Sequence, residues 1–190
     1  ERNENRGCAV CLLLSRDCLS GDFESVDNQV EVRIVRHVRE RFKRSNSARL
    51  VAHTLRHCRI FDYGAMGTPF DAESSIPDGA WLLFSGDPES GATRPPPNAR
   101  PSSLIVLDGT WPQARRMYKR LSVLASLPRV SLSPPANAPM RLRTPTTPEG
   151  MATSEAIARA LELLGDADAA AALDRIFALM VQRLSRSGHR

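Results

Sequence analysis

Lysine is nearly missing from this chain: Lys43 and Lys119 stand against 24 arginines. The basic excess is therefore an arginine excess, a formal +5 over 190 residues with a pI near 9.5. That is mild. It fits a polyanionic partner, and it fits a compositional bias towards Arg, Ala and Pro equally well. Long apolar runs are missing too. None approaches the ~20 residues of a membrane-spanning helix, so no membrane partner is expected. A charged–apolar–small secretory pattern is absent from the residues given, and a cytoplasmic location is expected. Cysteine is scarce and unevenly placed: Cys8, Cys11 and Cys18 lie close together, with Cys58 apart. Cys8-x-x-Cys11 with Cys18 behind it reads as a metal knuckle in a reducing compartment rather than as a disulfide framework. What is present is ordinary for a globular protein, 42% hydrophobic and 25% charged. The length suits one domain with a small appendage and is enough to bury a core.

Along the chain, residues 1–29 show little periodicity and form a loop-built, Cys-rich module; residues 30–190 form the main domain. Val30 to Val35 alternates apolar and charged, which predicts a strand with one face buried. A basic connection, 36–44, leads to a helix capped by Ser45 or Asn46 and running to about His57. Arg59–Tyr63 is a short strand candidate, followed by a long loop. Ala80–Phe84 and Leu104–Leu107 are continuous apolar runs that read as buried strands. Residues 86–102 are loop. Thr110 caps a helix with Pro112 in its first turn, with Ala114, Met117, Leu121 and Leu124 on one face and Arg115, Arg116, Lys119 and Arg120 on the other. Arg129–Leu132 is a short strand. The proline-rich segment 133–150 is extended, with one strand candidate at 140–143. A helix from Thr153 or Ser154 ends at Gly165, and a last helix runs from about Ala167 to Leu184. The tail from 185 is polar and expected to fray. Strands alternating with helices argue for an α/β fold with a largely parallel sheet. Ligands in such folds bind beyond the carboxyl ends of the strands, here His37, Ser85-Gly86 and Asp108-Gly109-Thr110.

Leu104-Ile105-Val106-Leu107-Asp108-Gly109-Thr110-Trp111 is the most informative stretch. It puts an acid at the tip of a buried strand. Gly109 permits close backbone approach, and Thr110-Trp111 open a helix whose amides face the same space. The bland alternative is a capping Asp at a turn.

This stretch resembles the signature of the DTW-domain family, Asp-x-Thr-Trp. The likeness extends through Trp111–Met117 and Leu127–Val130. His37-x-x-Glu40 with Ser45–Leu50 is similar to the family's His-Pro-x-Glu and Asn-Thr segments. Leu82–Gly86 is similar to its Leu-Phe-Pro-Gly loop, Thr153–Ala158 to its Ser-Thr-x-Glu-Ala helix start, and the N-terminal cysteines to its zinc knuckle. The matches run in order over about residues 6–165. They imply a SPOUT-like fold with a trefoil-knotted C-terminal half. They also imply an enzyme that uses S-adenosyl-L-methionine to place a 3-amino-3-carboxypropyl group on N3 of a tRNA uridine, releasing methylthioadenosine. Val38, Ser47, Ser85 and Ala152 depart from the family's Pro, Thr, Pro and Ser. Ser20 stands where a fourth cysteine is usual, and serine is a poor zinc ligand beside thiolate. Asp17, Asp22 or a His could substitute.

Under this resemblance Asp108 is the candidate that accepts or orients the uridine N3 proton. Leu83, Phe84, Ser85, Gly86, Leu107, Gly109, Thr110 and Trp111 are candidates to hold the cofactor. Trp111 either packs on a ring or plugs its helix onto the sheet. Thr153 and Glu155 either contact the cofactor's amino and carboxylate groups or cap their helix. His37, Arg39, Arg44, Arg115, Arg116, Lys119 and Arg120 are candidates for tRNA contact. Cys8, Cys11 and Cys18 are the zinc candidates; Cys58 is a core thiol at a helix end. Nothing calls for a protein partner. A SPOUT-like RNA methyltransferase and a degenerate, non-catalytic RNA-binding protein are the competing readings.

Overall fold

The structure, a computed structural model, describes residues 7–84, 95–96, 99–132 and 150–187. Among these residues five strands make one sheet: β1 (Glu31–His37), β2 (Cys58–Tyr63), β3 (Trp81–Leu83), β4 (Ser103–Asp108) and β5 (Arg129–Val130). Their spatial order is β2-β1-β4-β3-β5, and every pairing is parallel. The helices are α1 (Ala48–Thr54), α2 (Ala72–Ser75), α3 (Trp111–Arg120), α4 (Thr153–Leu163) and α5 (Ala167–Arg186). The α/β class read from the sequence is the one observed. The threading that would decide a knot involves segments outside the described residues, as do the expected strand at 140–143 and most of the loop 86–102. No helix among the described residues is long and apolar enough to cross a membrane.

Parallel strands need cover on both faces. On one, Val32, Ile34, Leu104 and Val106 meet Ala48 and Val51 of α1, Ile157 and Leu161 of α4, and Leu173 of α5. On the other, Val35, Leu82, Ile105 and Leu107 meet Ala114 and Met117 of α3. Fully buried side chains such as Ile157, Leu161 and Leu173 each contribute about 1.5–3 kcal/mol. The N-terminal module joins through a third cluster, Cys11, Leu13 and Leu19 against Leu50 and Ile176, Phe177, Met180, Val181 and Leu184.

The expectation that β1 buries one face is corrected: it is a central strand buried on both. Its arginines are compensated, as buried charges must be. Arg33 donates to Glu31 at 2.9 Å and to the Ser74 carbonyl at 2.8 Å, and Arg36 donates to Asp62 at 2.7 Å. Arg36 therefore leaves the basic cluster expected at 36–44. The helix expected to reach His57 ends at Thr54. The Asn28 amide reaches the Val30 and His57 carbonyls at 2.7 and 3.0 Å and accepts from the His57 N–H, turning the chain into β2. Cys58 opens β2 rather than closing a helix, and burial pushes its thiol up to about 12. The expected long loop after Tyr63 contains α2, capped by Asp71, which accepts from Ser74 N–H at 3.1 Å. The tail expected to fray from 185 begins as helix, since α5 continues to Arg186.

α4 is capped fully at its C-terminus and by half at its N-terminus. Gly165 adopts φ +82°, so the Asp166 N–H reaches the Leu161 carbonyl at 2.8 Å and the Gly165 N–H the Glu162 carbonyl at 3.0 Å. At the N-terminus Glu155 accepts from the Ala152 N–H at 2.8 Å, but Ala152, in the extended N-cap conformation, has no oxygen to return the bond. Ala152→Ser is expected to complete the box and add about 1 kcal/mol. Thermal denaturation should show the midpoint rising by roughly 2–4 °C.

Candidate active site

The strand order places a switch point between β1 and β4: the chain leaving β1 crosses towards β2, and the chain leaving β4 crosses towards β5. The crevice outside the carboxyl ends of two such strands is where open α/β sheets take ligands. β1 ends there at His37 and β4 at Asp108, with Arg36 opposite Asp108 in the ladder.

Asp108 is 3% exposed, and both its oxygens are engaged. Asn46 Nδ2 donates to Oδ2 at 2.6 Å, and the Thr153 hydroxyl donates to Oδ1 at 2.6 Å. One carboxylate thus joins β4, the turn before α1 and the first residue of α4. Burial raises its pKa above the usual carboxylate range, and the Thr153 and Asn46 bonds lower it in part. Raised affinity for a proton at a buried, oriented carboxylate suits acid–base work. Asn46 Oδ1, on the amide that bonds Asp108, and Ser154 Oγ, one residue beyond Thr153, are buried with no hydrogen-bond partner among the described residues. Unmet buried acceptors of this kind cost free energy unless a ligand meets them.

Gly109 follows, and a β-carbon there would lie 3.1 Å from the Gln113 side chain and 3.6 Å from His37 Cβ. Gln113 Oε1 accepts from the Thr110 N–H at 2.7 Å, so the start of α3 is held close over the crevice. Trp111 stacks on Phe84, just past β3, at 5.3 Å and 15°, which seats the start of α3 on the sheet, and its ring stays 40% exposed. Phe84 is stacked in turn on Tyr118 at 4.9 Å, and the Arg129 guanidinium lies over both rings. Leu83, Phe84 and Leu107 are buried at the ends of β3 and β4. Ser85 and Gly86, also expected here, lie outside the described residues. Of the α4 pair, Thr153 is on Asp108, whereas Glu155 is engaged in capping its own helix.

His37 accepts at Nδ1 from the Arg39 N–H at 3.2 Å, which leaves Nε2–H as its donor. Burial lowers its pKa, and the charges of Arg39, Lys43 and Arg116 lower it further. The two basic clusters therefore act on the same ring. Arg39, Arg44, Arg115, Arg116, Lys119 and Arg120 are exposed and form no ion pair with another described residue. Lys43 is paired with Glu40 at 2.5 Å, and Arg41 reaches Asp62 at 3.5 Å.

Sequence reasoning missed Asn46 as a site residue and read it as a helix cap. The signal was its place in the Asn-Ser pair beside the basic loop, but only the tertiary structure brings it to Asp108.

The cysteine sulfurs of Cys8, Cys11 and Cys18 lie within 4.8 Å of one another, with Cys11 and Cys18 at 3.7 Å. Tetrahedral zinc with bonds of about 2.3 Å places its sulfurs about 3.8 Å apart. Backbone N–H groups of Val10, Leu19 and Ser20 point at the three sulfurs at 3.4, 3.4 and 3.5 Å. The Cys11 backbone N–H leads the groups that lower the Cys8 thiol to about 6, while burial raises that of Cys11. Asp17 and Asp22, expected substitutes for the missing cysteine, are not in the thiol cluster: Asp17 Oδ1 accepts from Ser187, its buried Oδ2 has no hydrogen-bond partner among the described residues, and Asp22 accepts from the Arg183 fork at 2.7 and 2.9 Å. Ser20 Oγ lies 2.9 Å from Cys18 Sγ.

The sequence model of the DTW domain matches residues 5–185. This chain belongs to the DTW domain family. Membership is consistent with a tRNA-modifying function. No solved structure matches the chain.

Proposed function

We propose that this DTW-domain protein is a tRNA-uridine aminocarboxypropyltransferase. The observation that carries the reading is the buried Asp108, held by Asn46 and Thr153 at the switch point beside an exposed arginine-rich edge. Bound S-adenosyl-L-methionine would supply the 3-amino-3-carboxypropyl group, with methylthioadenosine as the leaving group. The residues present suit such a ligand. The open face of Trp111 and the backbone of Leu83–Phe84 and Leu107–Thr110 offer the purine a seat. Asn46 Oδ1 and Ser154 Oγ offer acceptors to its amino group, where contact with the amino and carboxylate groups was first expected of Thr153 and Glu155. The uridine N3–H is a weak acid, and the proton leaves as N3 attacks carbon. Asp108, its basicity raised by burial, takes or orients that proton. Thr153 and Asn46 hold the carboxylate so that little reorganisation accompanies the step. Arg39, Arg44, Arg115, Arg116, Lys119 and Arg120 bind tRNA phosphates, and His37 donates from Nε2 at the same edge. Zinc is held by Cys8, Cys11 and Cys18 and stabilises the N-terminal module against α5.

The test is mass spectrometry of nucleosides from tRNA incubated with the protein and S-adenosyl-L-methionine. Aminocarboxypropyl-uridine with methylthioadenosine is the expected pair. A methylated nucleoside with S-adenosylhomocysteine would replace this reading by a methyltransferase. No product and no cofactor binding would replace it by a non-catalytic RNA-binding protein.

A further inference from the structure

Phe42 is the one large aromatic side chain among the described residues that is three-quarters exposed, at 74%. A single exposed apolar residue is common on protein surfaces. Three features set this one apart. It sits within the basic connection, next to Arg41, Lys43 and Arg44. The Arg41 guanidinium lies over its ring at 5.2 Å. Its loop is also fastened at both ends to the candidate active site. His37 lies against Gly109, and Asn46 bonds Asp108. Three residues separate Phe42 from Asn46, a span of at most about 14 Å.

The loop between those anchors is fixed rather than slack. Arg41 N–H bonds the Val38 carbonyl at 3.2 Å, Lys43 N–H that of Glu40 at 3.2 Å, and Asn46 N–H that of Lys43 at 3.1 Å. The buried Arg49 donates to the Arg41 carbonyl at 2.7 Å. Arg41 reaches out to Asp62 and Lys43 back to Glu40. The ring is thus presented to solvent by a preorganised turn, with the Arg41 guanidinium over the ring and the exposed Arg44, unpaired among the described residues, two residues on. An apolar protein partner would have to bury those charges. A nucleobase would not, because its π-face stacks on the ring while its phosphates meet the arginines.

We propose that Phe42 is a stacking platform for a nucleobase of the bound RNA, an unpaired base next to the one presented to Asp108. The proposal rests on the tRNA reading above for its ligand but not on the chemistry of transfer. Binding of a fluorescein-labelled tRNA transcript, followed by anisotropy, tests it in the full chain. Phe42→Ala is expected to weaken affinity roughly 5- to 150-fold, the range for loss of one base–aromatic stack. Phe42→Trp should stay within about twofold of the parent. The slope of affinity against salt should be unchanged in Phe42→Ala, because no phosphate contact is lost, whereas Arg44→Ala should reduce it. Parental affinity in Phe42→Ala, or equal weakening in Phe42→Trp, overturns the proposal. If Phe42→Ala loses affinity but the parent makes no aminocarboxypropyl-uridine, the platform stands and the transfer chemistry falls. A parent that does not bind the transcript overturns both.

Discussion

Asp108→Asn is expected to fold and to lose about 10²–10⁴-fold in transfer rate, the range for removing one acid–base group. The structure makes this the decisive variant. The replacement amide oxygen can still accept from Thr153. Its nitrogen would face Asn46 Nδ2, but the buried, unpartnered Asn46 Oδ1 lets that amide turn over and accept instead. Asp108→Ala has no such rescue. It strands two buried donors at about 1–3 kcal/mol each, so its inactivity would mix chemistry with stability. The raised pKa gives Asp108→Asn a second readout. In the native state Asp108 holds its proton to higher pH than in the unfolded chain. The native protein therefore binds more protons in the window between the two values, and its stability falls as pH rises through that window. The asparagine variant has no such dependence. It is expected to gain on the parent as pH rises from the unfolded carboxylate value, about 3.9, to the raised one. Paired denaturant titrations across pH measure this difference. Transfer within a few-fold of the parent would remove Asp108 from the chemistry, and a pH-independent stability difference would remove the burial argument.

The same carboxylate marks where the sequence could be read and where it could not. Its position was legible because an apolar run that stops at Asp-Gly has few other meanings. β3 and the two C-terminal helices were legible for similar reasons: continuous hydrophobicity in the strand, a Gly stop after α4, and three- and four-residue spacing along α5. β1 misled because Glu31 and Arg33 look solvent-facing in an alternating pattern and Arg36 looks like the start of a basic loop, and only the pairing of Arg33 with Glu31 and of Arg36 with Asp62 lets the strand lie in the centre. α2 is four residues long and shows no period. Asn46 and Asp108 are 62 positions apart, and local propensity assigns an asparagine before a helix to capping. The sequence therefore tells where the crevice is through its apolar runs. What fills it depends on side chains that meet across the sheet.

Ser20→Cys is expected to tighten zinc binding by on the order of tenfold or more, because it replaces a weak hydroxyl donor with a fourth thiolate. The geometry is ready for it. Ser20 Oγ already lies 2.9 Å from Cys18 Sγ, and its backbone N–H points at the same sulfur. The neighbouring acids do not compete, being tied to Arg183 and Ser187. The effect should reach beyond the module, since Cys11 shares a core with Leu50, Ile176, Phe177, Met180 and Leu184. Metal that binds only the folded chain stabilises it by RT ln(1 + [Zn]/Kd), about 2.7 kcal/mol at a hundredfold excess over Kd. Chelation should therefore lower the melting temperature of the parent, and of Ser20→Cys from a higher starting point. Cys18→Ala should make melting insensitive to zinc. Competition with a chromophoric chelator gives the affinities, and hydrogen exchange along α5 shows whether the coupling reaches that helix. Equal zinc affinity in the parent and Ser20→Cys would mean that a donor other than residue 20 completes the site. Melting of the parent that is indifferent to both zinc and chelator would mean that the three thiols serve the core alone.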